Sequence, residues 1–302
     1  MKTKKKTSLF DVCNTLIMLA VLFLAAYPLY YTVIASLSDP NAVASGEVVW
    51  APVNVTMDAY KQVLAYKPIW TGYVNSLYYT VMGTLFNLFL TIPAAYALSK
   101  KYLPFRSGVM TVFFITMYFG GGLVPTYLLV KGMGLLNSRT VMVIMGGLSV
   151  YNLIVSRVYF STSISDTLYE AADIDGAGEY RKFFSIALPL AKPIIAVMVL
   201  YYAVGHWNGY FDALIYISDK ALEPLQLALR KVLILNQNAL NEEVLKSSKL
   251  NAEALMESVK RARAAYTMKY AMVFIGSFPL LVTYPFVQKY FVKGVMIGAV
   301  KE

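Results

Sequence analysis

Six stretches of the chain carry no Asp, Glu, Lys or Arg: Val12–Ser38, Pro68–Ser99, Ser107–Val130, Thr140–Ser156, Pro193–Phe211 and Tyr270–Gln288. An α-helix rises 1.5 Å per residue, so about 20 residues cross a hydrocarbon layer of about 30 Å. All but Thr140–Ser156 are long enough or nearly so, and that one reaches span length only with its flanks, to Phe160 past Arg157. The pattern predicts an all-α integral membrane protein of six transmembrane helices: residues 12–38, then about 72–99, 107–130, 139–160, 190–216 and 269–290. Between the first two spans, 39–67 starts as loop on Pro40, Gly46 and Pro52, and Asp58–Ala65 forms a short helix. The loop 217–268 is polar, with Leu222, Leu225, Leu229, Val232 and Leu233 at helical spacing after Pro224, and Leu250, Leu255, Val259 and Ala262 repeating the spacing later. Periodicity leaves two readings of this loop open, a solvated helical hairpin and a docking surface for an external protein.

Composition supports the bilayer. The 302 residues are 58% hydrophobic and 15% charged, against about 45–50% and about 25% in soluble domains, with a mean hydropathy of +0.55. This excludes a disordered chain, a fibrous protein and an ordinary cytosolic enzyme. One Cys, Cys13, and one His, His206, exclude a disulfide framework and a Cys/His metal site built from this chain alone. The first apolar run is far longer than a signal h-region of about 7–15 residues, so it reads as an uncleaved span with Cys13 a bystander.

The net charge of +10 allows nucleic-acid binding or membrane orientation, and position decides. With the N-terminus inside, the inner segments hold Lys2, Lys4, Lys5 and Lys6, then Lys100, Lys101 and Arg106, then Arg157, Arg181, Lys182 and Lys192, and finally Lys289, Lys293 and Lys301. The short outer loops hold Lys61, Lys67, Lys131 and Arg139. The asymmetry places both termini in the cytoplasm. The layout is then a cytoplasmic N-terminus 1–11, an extracytoplasmic segment 39–67, a core 68–292 with a cytoplasmic loop 163–187 and an extracytoplasmic loop 217–268, and a cytoplasmic tail 293–302.

Within 163–187, Thr167 and Glu170 have capping-box spacing, so a helix starts near Thr167, with Leu168, Ala171 and Ala172 as a small apolar face. Gly176 and Gly178 allow a reversal with positive φ. A second helix, Glu179–Leu188, ends at Pro189. Small residues on an exposed acidic helix suit close approach of another protein; an amphipathic helix lying on lipid remains the other reading, although such helices are usually rich in Lys and Arg.

Glu170-Ala171-Ala172, Asp175-Gly176-Ala177 with Gly178, then Phe183, Ile186, Leu188-Pro189 and Pro193, resemble the EAA loop of ABC importer permeases. Asn75-Ser76-Leu77, Ala94 to Ser99, Leu123 to Tyr127, Trp207-Asn208 and Pro224-Leu225 are similar to the carbohydrate-uptake, maltose-permease-like branch. The tail from Tyr284 to Lys301 resembles the LplC-type subgroup. The resemblance implies the type I ABC importer permease fold in a bacterial plasma membrane. It further implies a carbohydrate substrate, a second, different permease subunit, two ATPase subunits that bind ATP and Mg, and an extracytoplasmic solute-binding lipoprotein. It makes Glu170, Ala171, Ala172, Asp175, Gly176, Ala177, Gly178, Leu188 and Pro189 the ATPase-coupling residues. The chain has no Gly-Lys-Ser/Thr phosphate loop and would not hydrolyse ATP alone.

A charge inside a span must face water, a partner or the interface, which singles out Asp212. Tyr201, Tyr202, Trp207, Asn208 and Tyr210 lie near it in sequence and suit sugar rings, or else form an interfacial aromatic belt. His206 reads as a hydrogen-bonded packing residue. Three other readings stand beside the carbohydrate permease. A permease for another solute is one. An intramembrane enzyme and a non-ABC channel are the others, and the near absence of Asp, Glu, His and Cys from the spans argues against the enzyme.

Overall fold

The computed structural model describes residues 9–234, 264–265, 267–283, 285 and 288, all helix, turn or loop, with no strand among them. The chain divides into two compact units, residues up to Lys67 with Leu229–Phe278, and Pro68–Ala228 with Pro279 onward.

In the first unit, α1 (Leu9–Ser36) is apolar around its whole circumference and mostly exposed; only Ile34, Ala35 and Ser36 at its end are buried. An all-round apolar helix without packing partners belongs in lipid. Its C-terminal half meets the following segment: Tyr27 donates to the Val49 carbonyl and Tyr30 to that of Trp50, and the rings of Tyr27 and Trp50 meet edge to face. Ile34 and Ala35 pack with Ala42 and Val43 of α2 (Pro40–Ala44) and with Val48. The expected short helix forms as α3 (Asp58–Ala65), and its Tyr60 hydroxyl lies 2.7 Å from Ser36 Oγ.

In the second unit, α4 (Lys67–Ser99) is the frame. Several of its buried polar side chains serve as partners for other segments. Asn75 donates to the carbonyls of Ala221 (2.7 Å) and Glu223 (3.0 Å), Tyr79 donates to that of Leu222, and Ser76 Oγ accepts from Leu225 N–H. The Asn75-Ser76 and Pro224-Leu225 pairs, far apart in sequence, are thus two halves of one joint. A helix over 225–234 follows it.

Three expected spans are interrupted. The third is α5 (Arg106–Tyr118) and α6 (Leu123–Gly132), bent by 112° at Gly120–Gly122. The fourth, expected as one helix over about 139–160, is split into α7 (Arg139–Ile144) and α8 (Val150–Thr162), each too short to span. Extended Met145 and a positive φ at Gly146 divide them, and Ser149 caps α8. Gly146-Gly147 is therefore a break. The fifth begins before its expected start: α10 (Glu179–Leu190) continues through Pro189, contains a π-helical turn over Phe183–Ala187, and bends by 77° into α11 (Lys192–Asn208). Pro189 does not end the helix, because the widened π turn precedes it. Gly209 and Tyr210 then separate α12 (Phe211–Tyr216). Among the described residues, two helices are long and apolar enough to cross a membrane, or up to four if each bent pair counts once; Thr267–Thr283 is a shorter apolar helix. The polar loop segment 236–260 and most of the tail from Tyr284 to Lys301 lie outside the described residues.

Candidate functional site: an exposed helix and a polar cleft

Between α8 and α10 lies α9 (Asp166–Ile174). The capping box expected of Thr167 and Glu170 does not form. Ser165 is the N-cap instead, its Oγ accepting from Thr167 N–H at 3.3 Å, so the helix starts one residue earlier. Asp166 lies in the first turn, where the helix dipole favours an acid. The end is a Schellman motif: Gly176 N–H bonds to the Asp173 carbonyl at 3.0 Å and Ala177 N–H to that of Ala172 at 2.8 Å. Gly176 has φ +73°, a left-handed conformation that an L side chain adopts only with strain. Gly178, expected to share that role, is extended.

The expected apolar face of α9 divides. Tyr169 and Ala172 turn inward, while Leu168, Glu170, Ala171, Asp175 and Gly176 are exposed. Ile174 is 88% exposed and Tyr180 84%, so the reversal presents bare apolar surface edged by carboxylates. Ala177 and Leu188 are half-buried and Pro189 is exposed.

Beneath α9 the core converges on Tyr96 of α4, whose ring meets those of Phe160, Tyr169 and Phe183 with centroids 5.8, 6.2 and 5.0 Å apart. Lys182, only 5% exposed, pairs with Asp173 of α9 and with Glu179 at 2.9 Å. Those hydrogen bonds push the Lys182 pKa above the ordinary lysine value. Burial alone would raise the Glu179 carboxyl, but hydrogen bonds from Lys182 and Tyr102 and nearby positive charge bring it below its ordinary value. Lys100 lies over the Tyr169 ring and 4.6 Å from the Tyr96 centroid; burial lowers its pKa to about 8 against the raising effect of Glu179 and Asp166. Burial, with Asp166 and Glu179 nearby, raises Tyr169 to about 12. The arrangement ties α9 to α4 and α10 while leaving its outer face bare.

A second feature is a cleft of about 310 Å³ between α4, the 145–149 break, α11 and α12. Asn87 of α4 shapes it, donating to the carbonyls of Gly146 (3.0 Å) and Gly147 (2.8 Å) and holding His206 Nε2 at 2.7 Å through Oδ1. A Cβ at Gly83 would collide with the His206 ring, so the missing side chain lets α11 approach. Tyr202 lies 2.7 Å from Thr91 Oγ1 and accepts from Ser149 N–H.

The structure brings three of the six expected pathway residues, Tyr201, Tyr202 and Asp212, to this cleft. It does not bring the others. Trp207 is buried edge to face against Tyr73, and Asn208 and Tyr210 are exposed elsewhere. Sequence reasoning missed Asn87, Ser149 and Asn152, which also line it. The available signal was amide and hydroxyl side chains recurring within otherwise apolar stretches.

Residues 68–296 match the family described as "Binding-protein-dependent transport system inner membrane component". The chain is similar to Protein LplC of Bacillus subtilis, 36% identical over 301 residues, 100% of this chain and 98% of that one. It is also similar to the polygalacturonan/rhamnogalacturonan transport system permease protein YtcP of the same organism, 33% identical over 98% of this chain and 99% of that one. Among solved structures, a chain of a bacterial ABC transporter involved in import of the acidic polysaccharide alginate superposes with a TM-score of 0.79 at 32% identity, covering 96% of this chain and 99% of that one.

Proposed function

Because the chain belongs to the family of binding-protein-dependent transport system inner membrane components, we propose that it imports an oligosaccharide or other carbohydrate across a bacterial plasma membrane as one of two different permease subunits of an ABC importer. The chain is a membrane permease and not an enzyme. Two ATPase subunits hold ATP and Mg and hydrolyse the nucleotide, and a solute-binding lipoprotein delivers sugar from outside. Both termini and α9 face the cytoplasm, in keeping with the distribution of Lys and Arg and with six crossings, some of them broken helices.

The observation that carries this reading is the exposed face of α9, where Glu170, Ala171 and Ile174 stand free on a helix clamped from beneath by Lys182. When the two ATPase subunits close on ATP, they push on this face. The clamp passes the movement to α4 and α10 as a rigid body, and the permease interface switches between two packings. Sugar then moves past the cleft of Tyr201, Tyr202 and Asp212.

The test is substrate-stimulated ATPase activity of the reconstituted complex. Gly176→Val strains the reversal by about 1–3 kcal/mol, and Glu170→Lys inverts charge on the docking face. Each is expected to lower stimulation at least tenfold while the chain still inserts and assembles. Unchanged stimulation in both variants overturns the coupling assignment.

A further inference from the structure

Asp212 is an expense that coupling does not explain. It stands in the first turn of α12, half-buried, and faces the cleft. Carboxylates within membrane-spanning segments are costly and are kept for function. Among the described residues no Lys, Arg or His lies within ion-pair distance of it. The residues lining the cleft include no Lys or Arg at all. His206, the basic side chain among those lining residues, is held through Nε2 by Asn87.

We propose that the cleft receives an uncharged saccharide and that Asp212 determines this specificity; the inference rests on the reading of the cleft as the sugar path. An ionised carboxylate only accepts hydrogen bonds, and its two oxygens offer about four lone-pair positions, a match for vicinal sugar hydroxyls, which donate. Asn152, also lining the cleft, supplies an amide that both donates and accepts. Tyr201 offers an aromatic face for the C–H surface of a pyranose ring, and Met142 and Met145 complete an adaptable apolar wall. The same carboxylate repels a uronic acid, whose charge would meet no Lys or Arg among the residues of this chain that line the cleft. The proposal sets this chain apart in substrate charge from two proteins that it resembles, the transporter of acidic alginate and the polygalacturonan/rhamnogalacturonan permease YtcP.

The experiment measures binding to the assembled permease–ATPase complex by tryptophan fluorescence, without the solute-binding protein, so that the permease's own selectivity is read. Neutral gluco-, galacto-, xylo- and manno-tetrasaccharides are compared with tetragalacturonate and tetramannuronate. At least one neutral tetrasaccharide is expected to bind at least tenfold more tightly than either uronate. Asp212→Asn should weaken that binding about tenfold, Asp212→Glu should retain the neutral-over-uronate preference, and Asp212→Lys should narrow or invert it. Uronate binding as tight as neutral binding in the wild type, or a preference untouched in Asp212→Asn and Asp212→Lys, overturns the role of Asp212 and leaves carbohydrate import standing. Failure of every saccharide, neutral or acidic, to bind or to stimulate the intact transporter overturns the import reading and this inference together.

Discussion

Lys100 occupies a position where water is scarce but negative charge is near. Burial lowers its pKa from 10.5 to about 8, the carboxylates of Glu179 and Asp166 only partly opposing this. Between those values the unfolded chain binds a proton that the folded chain has released, so stability rises with pH through this window. The melting temperature of the complex, scanned from pH 7.5 to 10, is expected to show a favourable component above about pH 8 that Lys100→Met removes. Identical profiles for the two proteins would dissociate Lys100 from the effect. Gly176 was readable in advance, because a Gly just past a short helical run suits a left-handed C-terminal cap, although the same reading took in Gly178, which is extended. Lys182 was not. Its importance comes from the reversal itself, which brings Asp173 back over α10, and the sequence presents it merely as one of several inner basic residues.

At the scale of elements, α4 works through its polar side chains. Asn87 satisfies two carbonyls of the segment dividing α7 from α8, so Asn87→Ala leaves both without a partner and His206 without its anchor. An unsatisfied buried polar group costs about 1–3 kcal/mol. Asn87→Ala is therefore expected to lower the melting temperature of the complex and to weaken sugar binding, whereas substitution of exposed Asn208 should change neither. Equal effects from the two would remove the structural role of Asn87. The apolar stretches, α3, and the helix–reversal–helix around Gly176 were legible because each depends on neighbours in sequence. The breaks at 145–149 and Ala191 were legible only as points of kinking or close packing at Gly146-Gly147 and Pro193, since a distant side chain decides whether such a point interrupts the helix. Asn87, some 60 residues before Gly146-Gly147, gives no local sign of doing so. The same reason hid Asn87 and Asn152 from the expected pathway. Trp207 was drawn into it by adjacency, though its ring packs on Tyr73.

The molecule as a whole has no ATPase chemistry proposed for it, and its topology is open to direct measurement. The purified chain is expected to hydrolyse no ATP, with activity appearing only when the ATPase subunits are added; turnover by the chain alone would contradict the division of labour. With Cys13 replaced, a single cysteine at Ala171 is expected to react with an impermeant maleimide only from the cytoplasmic side, and one at Asn54 only from outside; the reverse pattern would invert the orientation. The π turn at Phe183–Ala187 sets a further constraint on the whole chain. Such a turn takes up one residue more than an α-helix would, and each residue of an α-helix advances the side chains by about 100°. The surplus residue is absorbed within that one turn, and the segment after it keeps the phase it would have had without it. Removing one residue from this stretch would let the helix close into regular α geometry and leave Tyr202 and His206 on the cleft wall, whereas removing one from the regular first turns of α11 would swing them about a quarter of a revolution off it. Which face the cleft sees is a matter of counting as much as of composition, and a single deletion should be better tolerated in the widened turn than in the regular helix that follows.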